Sequence, residues 1–186
     1  MVNNDLGKKE VLSSRVIYKG SIINLRLEEI RSKNGFRYTK EIVEHPGAVA
    51  ILAFLENNTI LMVRQYRIAV DKILLELPAG TLKNGETPEQ CAIRELEEET
   101  GYKAHKIEKL GAFYSAPGYS NEILHVFVAE ELEKSQQRLE INEDIYVEKI
   151  NIKELLSMIN NGEIKDAKTI ASIFLFLNKL YFNHVL

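Results

Sequence analysis

The sequence predicts a mixed α/β fold, and three observations carry the prediction. Strand-type apolar runs crowd the first half of the chain, one helix with clear start and stop signals interrupts them, and two more helical patterns close it. The strands begin with SRVIYKG and SIINLRLEEI, followed by the turn SKNG and then FRYTKEIVE, so that residues 12–45 read as an antiparallel β extension. Asn34-Gly35 within the turn suits a primed hairpin. His45-Pro46-Gly47 breaks the pattern and sets an expected boundary between an N-terminal extension (1–45) and a main domain (46–186). The run AVAILAFL is continuously apolar, as expected of a strand buried on both faces. Asn57-Asn58 turns the chain into TILMVRQYR, and LLELPAG brings a short strand to a glycine.

The helix is the best-signalled element. Thr87 is a good N-cap, Pro88 fits the first helical position, and Gln90 three residues after the cap completes a capping box. PEQCAIRELEEET then runs to Gly101, a residue suited to a left-handed C-terminal cap. KIEKLGAFY and ILHVFVAE read as strands around the loop SAPGYSNE, and IYVEKI as another. Helices around IKELLSMI and AKTIASIFLFLNKLYF finish the chain. In the last, Ile170, Ile173, Phe174, Leu177, Leu180 and Tyr181 form an apolar stripe expected to pack in the core.

Composition narrows the function. With 186 residues, 45% hydrophobic and 27% charged, the chain can bury an ordinary globular core. A formal charge of −3 gives no reason to expect nucleic-acid or membrane partners, so a polyanionic substrate needs local cations or a metal. Cys91 is the only cysteine, which excludes an intrachain disulfide and suits a reducing compartment. The polar start MVNNDLGKKE lacks a signal-peptide core, and no apolar run spans a membrane. A soluble, cytoplasmic protein is expected.

The chemistry lies on the helix. At about 100° per residue, Glu95 and Glu99 share a face, Glu98 flanks them, and Arg94 sits one turn before Glu98, placed to pair with it. Glu97 points the opposite way and is expected to be solvated. Ala92, Ile93 and Leu96 offer a surface to bury against a sheet. An acidic run is often only an outer face, but here two features argue otherwise. Like charges at i and i+4 cost roughly 0.2–0.5 kcal/mol, and the helix C-terminus disfavours negative charge. A hard divalent cation resolves both, and oxygen ligands without His or Cys favour Mg²⁺ or Mn²⁺ over zinc. Gly80-Thr81-Leu82-Lys83-Asn84-Gly85 has P-loop spacing, but Glu86 and Thr87 stand where Lys and Ser/Thr are required, which excludes a P-loop NTPase. No zinc spacing or G-x-S-x-G nucleophile motif appears. Cys91 and His125 are read as packed structural residues.

Gly80, five residues, Glu86, seven residues and then Arg94-Glu95-Leu96-Glu97-Glu98-Glu99-Thr100-Gly101-Tyr102 together match the Nudix box, GX5EX7REUXEEXGU. Eight residue types and two apolar or aromatic positions are fixed over 23 residues, and the chain is identified as a member of the Nudix hydrolase family. The resemblance implies an α/β/α sandwich with the box as loop–helix–loop beside a mixed sheet. It implies Glu95 and Glu99 as main ligands of Mg²⁺ (or Mn²⁺), Glu98 assisting, and the carbonyl of Ala79 as a further ligand. Glu86 and Arg94 would tie the loop to the helix.

Over roughly residues 12–182 the chain resembles the ADP-ribose pyrophosphatases within that family, through EIVEHPGAVAIL, VRQYR, ELPAG and FYSAPGYSNEILHVFVAE. Pro117, fifteen residues past the box, lies close to a proline that marks them, with Gly118 beside it. The resemblance implies a homodimer exchanging N-terminal strands, and an activity that cleaves ADP-ribose to AMP and ribose 5-phosphate. Arg67 and Glu122 match substrate-contacting positions, and Tyr18 and Lys40 fall where the adenosine end is held. Ordinary alternatives stand beside these: a surface ion pair for Arg67, a strand-edge charge for Lys40, a core aromatic for Tyr18. The general base maps best to Glu143 and next to Glu140. Ile141 replaces a second acid found in some relatives. Two rival functions remain: hydrolysis of another nucleotide sugar or a dinucleotide, and a Nudix module that senses ADP-ribose without cleaving it.

Overall fold

Alternating and β-branched runs form the strands where the sequence places them, with differences at the turns. The structure is a computed structural model that describes residues 9–141 and 143–185, the last four as backbone only. The polar opening residues 1–8 and Asn142 of the acidic loop lie outside the described residues. Strands β1 (Glu10–Lys19), β2 (Asn24–Arg31) and β3 (Arg37–Glu44) form an antiparallel sheet in the order β1-β2-β3. The expected primed turn between β2 and β3 is a different one. Gly35 N–H donates to Ser32 O (2.9 Å) and Ser32 N–H to Phe36 O (2.8 Å), and only Gly35 is left-handed, with φ 79°. That is a three-residue loop ending in a left-handed glycine, in which Asn34 does not have to take positive φ. The paired positive φ of a primed turn occurs instead at Asn57 (58°) and Asn58 (57°).

One compact unit comprises this sheet, up to Pro46, together with Tyr114–Glu122. The later segment joins the edge of β3: Val43 N–H donates to Tyr119 O (2.8 Å), Asn121 N–H to Val43 O (3.2 Å), and His45 N–H to Asn121 Oδ1 (2.8 Å).

The second unit, Gly47–Phe113 and the chain from Ile123 onward, carries the remaining elements. They are β4 (Ala48–Ala53), β5 (Thr59–Arg67), β6 (Lys72–Glu76), β7 (Ala79–Thr81), α1 (Pro88–Thr100), β8 (Tyr102–Tyr114), β9 (Ile123–Lys134), β10 (Ile145–Asn151), α2 (Ile152–Asn160) and α3 (Ala167–Val185). All six residues of β4 are buried, as its unbroken apolar run requires. β4 pairs parallel with β9 and antiparallel with β7 in the sheet β7-β4-β9-β8, while β10-β5-β6 form a second, antiparallel sheet. The segment LLELPAG is not one strand. Pro78 cannot donate to a ladder, and the chain changes sheets there, from β6 to β7.

Alternation along β4 and β9 divides the core. Val49, Ile51, Ala53, Phe127 and Ala129 meet Cys91, Ala92 and Leu96 of α1. Leu52 and Val126 face the other way, toward Leu155 of α2 and Ile173 of α3. The result is helix, sheet, helix, with each fully buried Leu, Ile or Val contributing about 1.5–3 kcal/mol. The stripe expected on α3 is only partly the core face. Ile170, Ile173 and Leu177 pack inward with Phe176, which lies against Phe54 at 4.8 Å between ring centroids. Phe174, Leu180 and Tyr181 are exposed. The helix is apolar almost all round from Ile170 to Leu177, so periodicity alone leaves its rotation open. Among the described residues no helix is long and apolar enough to cross a membrane.

Candidate active site

The start of α1 is held by the capping box. Thr87 Oγ1 accepts from Gln90 N–H (3.2 Å), and Gln90 Oε1 accepts from Thr87 N–H (2.9 Å). Gly101, with φ 70°, ends the helix and donates its N–H to Glu97 O (2.9 Å). Because Cys91, Ala92 and Leu96 are fully buried, α1 cannot roll, and the face bearing Glu95 and Glu99 is fixed against β7. Cys91 lies in the core as expected, its thiol pushed up to about 12 chiefly by burial.

Arg94 organises the loop and helix. Its guanidinium donates to Glu86 through Nε (2.7 Å) and Nη2 (2.9 Å), and through Nη1 to Glu95 (2.6 Å) and Glu98 (2.9 Å). The paired hydrogen bonds from Arg94 hold the Glu86 carboxyl down to about 2. Glu95 and Glu99 behave in the opposite way. Burial pushes the Glu99 carboxyl up to about 8; Ala79 N–H, which donates to it at 3.0 Å, pulls the other way, and the charges of Glu95 and Glu143 add to the rise. Burial also raises Glu95, Arg94 opposes that, and Glu98 and Glu143 add to it. A Cβ on Gly80 would lie 1.9 Å from the Glu95 carboxyl carbon. Glycine is therefore needed for that carboxylate to lie against the loop.

These residues suit a hard divalent cation. The donors are oxygens, two carboxylates among them are buried and repel each other, and the lack of a Cβ at Gly80 leaves the space that Glu95 occupies. Among the described residues no three His, Cys, Asp or Glu side chains already converge on one point. Arg94 and the Ala79 N–H hold the carboxylates in protein hydrogen bonds instead.

Glu140 and Glu143 form a turn: Glu143 N–H donates to Glu140 O (3.0 Å), and Glu143 Oε2 accepts from Glu140 N–H (2.9 Å). Glu143 is close enough to act by charge on Glu95 and Glu99. Glu140 instead lies 3.8 Å from Lys83 of the box loop. Arg67 donates both Nε and Nη2 to the buried Glu76, at 2.8 and 2.7 Å, and its charge acts on Glu99. In the N-terminal unit, Lys40 and Gly118 line one cavity of about 310 Å³ with Thr39, Glu41 and Tyr119. Pro117 precedes Gly118 in the same loop, and Tyr18 is exposed on β1. Glu122 accepts from Ser115 Oγ and lies 3.6 Å from His45 Nδ1.

Two expectations are corrected. Glu97 is not simply solvated: it accepts from Ser135 Oγ (2.7 Å) and Arg138 Nη2 (2.6 Å). The partners come from a segment about forty residues away, which helical geometry cannot reveal. His125 is not a satisfied histidine. Its buried Nδ1 has no hydrogen-bond partner among the described residues, and burial first, then Lys109, lowers its pKa. The sequence reading also missed Glu76 and Lys168: the Glu76 carboxylate accepts from both Arg67 and Lys168. An isolated glutamate inside the apolar run LLELP was the available signal.

The capped loop–helix, its arginine clamp and its buried carboxylate pair fall together on one face of α1 beside β7. The NUDIX domain model matches residues 44–172, and the chain belongs to the Nudix hydrolase family. It is 42% identical over 168 residues to an ADP-ribose pyrophosphatase of Bacillus subtilis (strain 168), covering 89% of this chain and 91% of that one. It is 38% identical over 170 residues to a methanol dehydrogenase activator of Bacillus methanolicus, covering 90% and 92%. A solved structure described as an ADP compounds hydrolase superposes with a TM-score of 0.85 over 99% of this chain and all of that one, at 20% identity, and shares the fold.

Proposed function

We propose that this chain hydrolyses the diphosphate of ADP-ribose to AMP and ribose 5-phosphate, with Mg²⁺ or Mn²⁺ as cofactor. The buried Glu95–Glu99 pair beside Gly80 carries the chemistry. The choice of ADP-ribose is supported by likeness, over most of both chains, to a protein named for that reaction. Glu95 and Glu99, with Glu98 and the Ala79 carbonyl, would hold the cation, which when bound neutralises phosphate charge and lowers the pKa of water. Glu143 is the proposed acceptor of the water proton, its half-buried carboxylate facing the Glu95–Glu99 region. Glu140 is the second candidate for that role. Arg67, oriented by Glu76, is assigned to substrate phosphate. Lys40, Tyr18, Pro117, Gly118 and Glu122 are assigned to the nucleoside and sugar.

The N-terminal extension exposes Val16, Ile17, Tyr18, Ile22 and Phe36, which supports a homodimer built through that sheet. A cytoplasmic location fits the single, buried cysteine.

A second reading has its own observation, the likeness to an activator of another enzyme: binding without turnover, or turnover of a different nucleotide. Incubation with equimolar ADP-ribose, GDP-mannose, NADH and diadenosine polyphosphate in Mg²⁺, with products separated by chromatography, decides between them. Preferential loss of ADP-ribose with AMP appearing supports the first reading. Preference for another substrate keeps the chemistry and rejects the specificity, and binding of ADP-ribose without cleavage favours the sensor.

A further inference from the structure

The unspecified position inside the glutamate run has an assignable role. Glu97 lies on the opposite side of α1 from Glu95 and Glu99, yet its side chain is only 15% exposed, because the segment Ser135–Arg138 folds over it. Glu97 Oε1 accepts from Ser135 Oγ and Arg138 Nη2, with Lys103 Nζ 3.5 Å away. The same segment closes on the end of the helix. Arg138 N–H donates to Glu98 O (2.9 Å), Gln137 Nε2 to Glu99 O (2.6 Å), and Ser135 N–H to Gly101 O (2.7 Å). Helix ends leave such carbonyls without intrahelical donors, so this segment acts as a strap that caps α1 from outside its own sequence. Gly101 belongs to the fit as well, since a Cβ there would stand 3.0 Å from Gln137 N.

Two residues beyond the strap comes the turn closed by Glu140 and Glu143, in a stretch between β9 and β10 whose described residues form neither helix nor strand. A proton acceptor has to stand within about 3 Å of the proton it takes, and a displacement of about 1 Å can cost on the order of 100-fold in rate. A base carried on an irregular loop therefore needs an anchor on each side: β10, which starts at Ile145, holds the following side, and the strap is the anchor on the preceding side. We propose that Glu97 is a positioning residue: by holding Ser135–Arg138 on the end of α1 it fixes where the Glu140–Glu143 turn stands relative to Glu95 and Glu99. The inference rests on the reading of Glu143 as base, and it assigns Glu97 no contact with substrate.

The test compares Glu97→Ala, Arg138→Ala and the double variant in the full chain. Steady-state kinetics on ADP-ribose, Mn²⁺ affinity by electron paramagnetic resonance, and amide hydrogen exchange over residues 135–144 are measured. Because Arg138 is exposed, its variant keeps the test open should Glu97→Ala fold poorly. The expected result is a kcat about tenfold lower in each single variant, with KM and Mn²⁺ affinity within about twofold and faster exchange over 135–144. The double variant should be no slower than Glu97→Ala, since both substitutions release the same strap. Unchanged kcat despite faster exchange, or losses that multiply in the double variant, overturns the proposal. Failure of the wild-type chain to cleave any nucleotide in the panel sinks the hydrolase reading instead. Exchange then judges the strap alone: acceleration in Glu97→Ala supports it and unchanged protection refutes it.

Discussion

Substituting Glu99 should stabilise the cation-free protein while destroying its function, an inversion that follows from burial. Glu99 is 3% exposed and its carboxyl is pushed from 4.5 up to about 8. The folded state therefore holds a proton that the unfolded chain gives up in the window between those two values. Stability from this group is complete below the unfolded pKa and is lost as pH rises through the folded one. At about pH 8.5 the accumulated loss is roughly 4–5 kcal/mol, at 1.36 kcal/mol per unit. Glu99→Gln removes that loss and keeps an acceptor for the Ala79 N–H, but adds an amide NH₂ that needs a partner. A net gain of about 2–3 kcal/mol remains, or about 5–10 °C in Tm for a chain of this size. The assay is thermal unfolding of both proteins in chelator across the pH range. The gain should be largest near pH 8.5 and turn into a cost of about 1 kcal/mol by about pH 5, where the titration loss falls below the amide penalty. With Mg²⁺ at about 1,000 times its Kd the order should reverse, because the ligand then adds ~4.1 kcal/mol to the wild type alone. A Glu99→Gln protein that is destabilised equally at both pH values would refute the account of Glu99 as a charge buried for a cation.

Two further predictions concern the same site. Glu143→Gln should lower kcat by about 10²-fold or more, as expected for loss of a general base, and leave Mn²⁺ binding intact; an undiminished rate moves the role to Glu140. Gly80→Ala places a methyl 1.9 Å from the Glu95 carboxyl carbon. Calorimetric titration with Mn²⁺ should then show at least about tenfold weaker binding, a change of ~1.4 kcal/mol, and full affinity would mean that Glu95 does not lie against the loop when the cation is bound.

What the sequence made legible is what short-range physics decides. The start, the end and the buried face of α1 follow from Thr87, Pro88, Gln90, Gly101 and the spacing of Ala92 and Leu96, all within one segment, although Ile93, expected on that face, is exposed. β4 was readable because a run that is apolar at every position has no solvent face to offer. What escaped depends on partners distant in sequence. The hold of Ser135 and Arg138 on Glu97, the pairing of Glu76 with both Arg67 and Lys168, and the addition of residues 114–122 to the N-terminal unit leave no periodic trace. Phe174 and Phe176 are equally apolar, and only packing against Phe54 decides which turns inward. The turn after Ser32 shows a subtler limit, since Asn-Gly fits both a primed pair and a loop with a single left-handed glycine.

The arrangement around Arg94 bears on the order in which this protein is assembled. One guanidinium serves Glu86, Glu95 and Glu98 together, so three of the acids in the loop and helix have a counter-charge supplied by the chain itself. Helix and loop thus take shape as soon as the polypeptide folds, like a mould that sets before anything is cast in it. A structural zinc module collapses when its ion is withdrawn. Here a chelator should silence catalysis and leave circular dichroism unchanged, so that activity can be switched off and restored in a protein that never unfolds.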